Sequence, residues 1–243
     1  MLYMAVLFLV LAVASLLLTK SSTPKPALEE AAPSSSSAQR DPPTQAFERF
    51  LSTPLQDISL RDVPGVGEKT VQVLHRKNVK TAEQLFGYFL YKERHEDDVR
   101  TFLKEVGLQG SVAKRLYDSM VTKADRVVEM GGRGYGSSVV HPHKPTSMTS
   151  TSAAHEFFMS TPLQDICLAQ VPGVGERTLP KLQEAHISSA EALFGYFLYV
   201  GREEGRFRDW LKQESIDVHG GAAKKVHDAM RDKADVLCTL GGR

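Results

Sequence analysis

The hexapeptide VPGVGE occupies residues 63–68 and returns at residues 171–176, 108 positions later (171 − 63). Glycine loses more backbone freedom on ordering than any other residue, so a Gly-x-Gly written twice marks a place where the chain must turn tightly. The repetition extends well beyond it. FLSTPLQDISLRDVPGVGEKT (50–70) matches FMSTPLQDICLAQVPGVGERT (158–178) without a gap, and AEQLFGYFLY (82–91) matches AEALFGYFLY (190–199) at the same offset. Phe102-Leu103-Lys104 corresponds to Trp210-Leu211-Lys212; after that the second copy carries two more residues, so Met120 pairs with Met230. The chain reads as two units of about 85–90 residues, each large enough for a small core.

Within one unit the apolar spacing is helical. In EKTVQVLHRKNV, Val71, Leu74 and Val79 fall near one face with Val73 beside it. DDVRTFLKEV places Val99, Phe102, Leu103 and Val106 at i, i+3, i+4, i+7. SVAKRLYDSMVTKADRVVEM repeats Val112, Leu116 and Met120, and Gly131-Gly132 are expected to stop that helix. No alternating run predicts a strand. The fold expected is all-α: two tandem small bundles of about five short helices, each with a helix-hairpin-helix.

LFGYFLY (85–91) is apolar or aromatic at six of seven positions, so this helix is apolar all round. A domain this small cannot cover every side of it. Gly87 costs about 1 kcal/mol in mid-helix relative to Ala, yet it lets another backbone come close. One reading is a deeply buried core helix. The other is an inter-repeat interface through Phe86, Gly87, Phe89 and Leu90, with Phe194, Gly195, Phe197 and Leu198 in the second copy.

Helix, h-P-G-h-G, helix describes a helix-hairpin-helix. Its glycines bring backbone N–H groups to the surface at a helix N-terminus, an anion site that a duplex phosphate fits. Lys69 and Thr70, or Arg177 and Thr178, can add donors on the first turn. Such contacts position DNA without reading its sequence. A plain tight turn between helices is the alternative. No Gly-Lys-[Ser/Thr] follows, so the loop is not a nucleotide-binding P-loop.

The remaining segments are of different character. Leu2–Leu18 is 17 residues without charge, followed by Lys20 and Lys25, and is expected to be a transmembrane signal anchor spanning residues 1–19. A cleaved signal peptide is the alternative. Residues 20–46, rich in Ser, Pro and Ala, read as a disordered tether, and residues 134–154 as a flexible linker. The domains are then expected at 47–133 and 155–243. The formal net charge of +1 names no partner, and two cysteines form no disulfide framework and no metal spacing. No metal and no cofactor are expected.

Each unit resembles barrier-to-autointegration factor, a small helical protein family that binds double-stranded DNA without sequence preference. The matching string runs from Phe50 and Pro54 through Gly65-Val66-Gly67-Glu68 and Leu74 to Gly87-x-Phe89-Leu90, then Phe102-Leu103-Lys104 and the helix of Asp125. In the second copy it is Phe158, Pro162, Gly173-Val174-Gly175-Glu176, Leu182, Gly195, Phe197, Leu198, Trp210, Leu211, Lys212 and Asp235. The resemblance implies phosphate contacts by Gly65, Gly67, Lys69 and Thr70, and by Gly173, Gly175, Arg177 and Thr178. It also implies that a second small-residue turn joins in, here Gly110-Ser111 and Gly220-Gly221. It implies a dimer through the Gly-x-Phe-Leu helix that bridges two duplexes, and a groove for nuclear-envelope proteins of the LEM fold. Localisation would be nucleus or cytoplasm, with the repeats on the cytosolic or nucleoplasmic side of any anchor.

The departures are local. A family lysine after the hairpin is kept as Lys181 but is Val73 in copy one, where Arg76, Lys77 and Lys80 stand nearby. Pro180 falls inside the matching helix of copy two. Residues 47–133 hold 15 basic and 13 acidic residues, whereas 155–243 hold 11 and 13. Copy one is therefore expected to carry most of the affinity for DNA. The acidic group HEDD (95–98) opens a helix, where acids suit the dipole, and no catalytic constellation accompanies it. The competing class is a protein-interaction module whose hairpins are purely structural.

Overall fold

The computed structural model describes residues 45–133, 151–213 and 216–239. Copy one comprises α1 (Gln45–Ser52), two single 3-10 turns (Leu55–Asp57 and Leu60–Asp62), α2 (Glu68–Arg76), α3 (Ala82–Tyr91), α4 (Glu96–Glu105) and α5 (Gly110–Arg133). Copy two repeats the order with α6 (Thr151–Ser160), turns at Leu163–Asp165 and Leu168–Gln170, α7 (Leu179–Glu184), α8 (Ala190–Tyr199), α9 (Glu204–Leu211) and α10 (Gly220–Thr239). Among the described residues the chain is all-α, in two tandem units. The expected anchor, the tether up to residue 44, and residues 134–150 lie outside the described residues. Among those described, no helix is long and apolar enough to cross a membrane.

Three expectations need correction. α1 begins at Gln45 and α6 at Thr151, inside the segments read as tether and linker. Both starts carry alanine (Ala46; Ala153 and Ala154), the best helix former, which composition alone had counted as linker. α5 also runs through Gly131 and Gly132 to Arg133 instead of stopping before them. A helical glycine costs about 1 kcal/mol, which weakens a helix without ending it.

The apolar periodicity becomes the core of each copy. Leu74 and Val79 are fully buried, as are Leu116 and Met120 beneath α5, while Val73 lies at the margin. Lys123 and Lys233, 110 positions apart, are also buried. Lys123 Nζ donates to the carbonyls of Phe50, Leu51 and Thr53 at 3.1, 3.0 and 2.6 Å. Lys233 Nζ donates to Phe158, Met159 and Thr161 at 2.9, 2.9 and 2.7 Å. Each lysine thereby satisfies carbonyls left over at the end of α1 or α6 and fixes that helix to the long C-terminal one. Burial pulls both ammonium groups down to about 8.

The two all-apolar helices pack on each other. Thr81 caps α3 by accepting the Gln84 N–H, and Ser189 caps α8 by accepting the Ala192 N–H. The helices cross where both lack a side chain. A Cβ on Gly87 would lie 2.5 Å from the Tyr199 nitrogen and 2.7 Å from the Gly195 oxygen; one on Gly195 would lie 2.3 Å from the Tyr91 nitrogen. Only glycine allows this approach. Phe86, Leu90, Phe194 and Leu198 are buried around the crossing. Phe89 and Phe197 point elsewhere: Phe89 meets Tyr117, and Phe197 meets Phe207 and His227, each within its own copy. Tyrosines span the boundary beside the crossing, with Tyr88 against Tyr199 at 5.5 Å and Tyr91 against Tyr196 at 5.2 Å.

Two arginines complete this boundary. Arg94 Nε meets Glu191 Oε1 at 2.6 Å, and its Nη1 meets Asp125 at 2.8 Å. Arg202, its counterpart at the repeat offset, binds Glu83 across the boundary and Asp235 in its own copy at 2.9 Å. Each arginine thus links α3 or α8 of the other copy to the last helix of its own.

Candidate nucleic-acid interface

The first hairpin runs from the turn Leu60–Asp62 to α2. Val63 and Val66 are buried, and the Val66 N–H donates to the Val63 carbonyl at 3.0 Å, closing the turn. Gly65 sits between them at φ +86, in the left-handed region that β-branched or bulky residues avoid. Gly67 is the N-cap of α2, with no side chain capping the helix. The first hydrogen bond back into the turn is Val71 N–H to Gly67 C=O at 3.0 Å. The earlier N–H groups of α2 therefore face outward as donors, beside exposed Lys69.

The hairpin rests on the start of the last helix. Val112 Cγ1 lies 3.0 Å from where a Gly65 Cβ would be, two residues after α5 opens at exposed Gly110 and Ser111. Copy two repeats this more tightly: Gly173, at φ +92, sits against the Ala222 carbonyl and Val226, which follow Gly220 and Gly221 on α10. The two glycine-bearing turns of each unit, 45 residues or more apart in sequence, thus meet on one surface.

Other expected residues are placed differently. Thr70 is 8% exposed, so most of its side chain packs into the core. Val66 and Val174 are buried as side chains and offer only backbone. Lys77 Nζ pairs with Glu105 at 2.6 Å and lies over the Phe102 ring, tied to α4. Arg76 is exposed, with its Nε directed at the Gln72 carbonyl in its own helix. Lys69, Arg76 and Lys80 form no ion pair among the described residues, nor does Arg177 in copy two. Lys181 does, binding Asp217.

Pro180 changes the second hairpin. Proline has no N–H for a bond four residues back, so a helix accommodates it only in its first turn. α7 consequently starts at Leu179 and has 6 residues, where α2 starts at Glu68 and has 9. Residues 176–178 form a turn in which the Thr178 N–H is already used, donating to Gly175 C=O at 2.9 Å. Copy two thus has one outward donor fewer, and a shorter helix behind it. The sequence reading missed the buried lysines and the Arg94 and Arg202 pairs, although each of these residues recurs at the repeat offset.

Fold and site together define a tandem of helix-hairpin-helix bundles fused face to face through a glycine-centred helix pair. The Barrier to autointegration factor family profile matches residues 42–126 and again residues 149–236, and the chain belongs to that family. Barrier-to-autointegration factor 1 of Caenorhabditis elegans is 33% identical over 86 residues, covering 35% of this chain and 96% of the worm protein. The Homo sapiens barrier-to-autointegration factor is 33% identical over 79 residues, covering 32% of this chain and 84% of its own. The Danio rerio protein is 34% identical over 81 residues, covering 33% and 86%. No solved structure matches the chain.

Proposed function

We propose that the chain binds double-stranded DNA without sequence preference, through backbone N–H groups of its hairpins and the adjoining helix starts. The observation that carries this reading is the meeting of Gly65 with the Val112 turn, beside outward α2 donors and an exposed Lys69 with no ion pair among the described residues. Family membership supports it, and so does the location of the outward groups: they are main-chain donors and exposed amines, suited to phosphate and not to base edges. The α3–α8 crossing puts two such hairpins in one molecule, so a single chain takes the place of a dimer in bridging two duplexes. The role is one of binding, with no reaction catalysed. Nuclear-envelope proteins of the LEM fold are proposed as partners at the groove between the copies.

Titration of the full chain against random-sequence duplexes at several salt concentrations tests this reading. Affinity independent of sequence, and falling linearly on a log–log salt plot, is expected. No duplex binding at low salt would instead favour a protein-interaction module. The uncharged residues 2–18 favour attachment of the repeats to a membrane, on its cytosolic or nucleoplasmic side, and carbonate extraction of the full-length chain decides that point separately.

A further inference from the structure

Copy two carries a carboxylate at its hairpin that copy one lacks. Asp217 occupies the position of Gly107 at the 110-residue offset, and both adopt a left-handed backbone, φ +50 and +89. The Asp217 side chain is ion-paired with Lys181 on α7, directly after the hairpin. Its other partner is His219, whose Nε2 lies 2.6 Å from Oδ1 and which precedes Gly220 at the start of α10. The Asp217 carboxylate therefore bridges the post-hairpin helix and the second small-residue turn, the two elements that would flank a bound phosphate.

We propose that Asp217 is an internal anion that neutralises Lys181 beside the second hairpin and keeps duplex phosphate out. The chain then engages DNA through its first copy, and bridging requires that this carboxylate be displaced or neutralised. This rests on the DNA-binding reading above and adds the residue that makes the two sites unequal. Lys181, and then His219, hold the Asp217 carboxyl below its usual range, so it is ionised at neutral pH. A carboxylate at that point cancels the charge of Lys181 and repels an incoming phosphate. Copy one has no side chain at Gly107, and its Lys69, Arg76 and Lys80 form no ion pair among the described residues.

The test uses the full chain with the first hairpin disabled by Gly67→Glu and Lys69→Glu, with and without Asp217→Asn, titrated against a random 30-base-pair duplex. Asparagine keeps the size and tolerates the left-handed backbone. Restoring Asp217→Gly, the residue type of copy one, is the second variant. Either substitution is expected to raise affinity at least about tenfold and to steepen the salt slope by about 1, the contribution of one freed lysine. Unchanged affinity in both variants, with an unchanged circular dichroism spectrum, would overturn the proposal. So would undiminished binding on disabling the first hairpin alone, because the second would then already be open. A wild-type chain that binds no duplex would refute the DNA reading itself, an outcome distinct from these.

Discussion

Gly87 and Gly195 touch through their backbones: a Cβ built on either would lie 2.7 Å from the carbonyl oxygen of the other. No side chain fits there without moving a helix. Gly195→Ala should therefore destabilise the chain by about 2 kcal/mol, the range of an overpacked core, despite alanine's better helix propensity. Denaturant unfolding measures this. A change under about 0.5 kcal/mol would place the crossing elsewhere.

The Arg94–Glu191 pair crosses the same boundary with side-chain exposures of only 22% and 14%. Exposed ion pairs are worth ~0.2–1 kcal/mol, but leaving a mostly buried carboxylate unpaired costs more. Arg94→Ala should cost about 2–3 kcal/mol. A double-mutant cycle with Glu191→Gln should give a coupling above about 1 kcal/mol; a coupling near zero would make the contact incidental.

Lys123 and Lys233 titrate near 8 in the folded chain, against 10.5 ordinarily. Below pH 8 both are protonated in folded and unfolded chains alike, and the burial cost is fully present. Between pH 8 and the unfolded value the unfolded chain binds more protons, so stability rises with pH. The gain should be about 1 kcal/mol per lysine between pH 8 and pH 9. Above about pH 10 the trend reverses, because burial pushes Tyr88 and Tyr196 up to about 12 and they keep protons that the unfolded chain has released. Unfolding curves against pH should show the rise in the wild type and lose it in Lys123→Met with Lys233→Met.

Much of this was legible because repetition and periodicity are local signals. Gly87 in an otherwise all-apolar helix announced a close approach before any partner was known, and the hairpin glycines announced a turn. The sequence did not say which aromatic faced which copy. A helix apolar on every side has no polar face to orient it, so its pattern does not separate Phe89 from Tyr88 at the boundary. Lys123 and Arg94 were missed for a related reason. Their partners lie 31 or more residues away, and for Lys123 they are carbonyls, so neither leaves a pattern in the neighbouring sequence. Thr70 shows the reverse: its position after the hairpin suggests an exposed residue, but α2 turns most of it into the core.

Among the basic residues of copy one, engagement separates two groups. Lys77 is committed to Glu105 and the Phe102 ring, whereas Lys69 is exposed without an ion pair among the described residues. Lys69→Ala should lower the salt slope of duplex binding by about 1, and Lys77→Ala should change it by much less. Equal effects would mean that Lys77 leaves Glu105 when DNA binds.

The central claim is that the hairpins hold duplex phosphate, the first more strongly than the second. Substituting Gly65 or Gly173 would strain a left-handed backbone and confuse folding with binding. Gly67 and Gly175 instead face open space. The most direct measurement titrates a random duplex, at several salt concentrations, against two matched variants of the full chain: Gly67→Glu with Lys69→Glu, and Gly175→Glu with Arg177→Glu. The first pair should lose most of the affinity and flatten the salt slope, while the second loses little. Equal losses would contradict the asymmetry, and no loss from either pair would contradict DNA binding by the hairpins altogether.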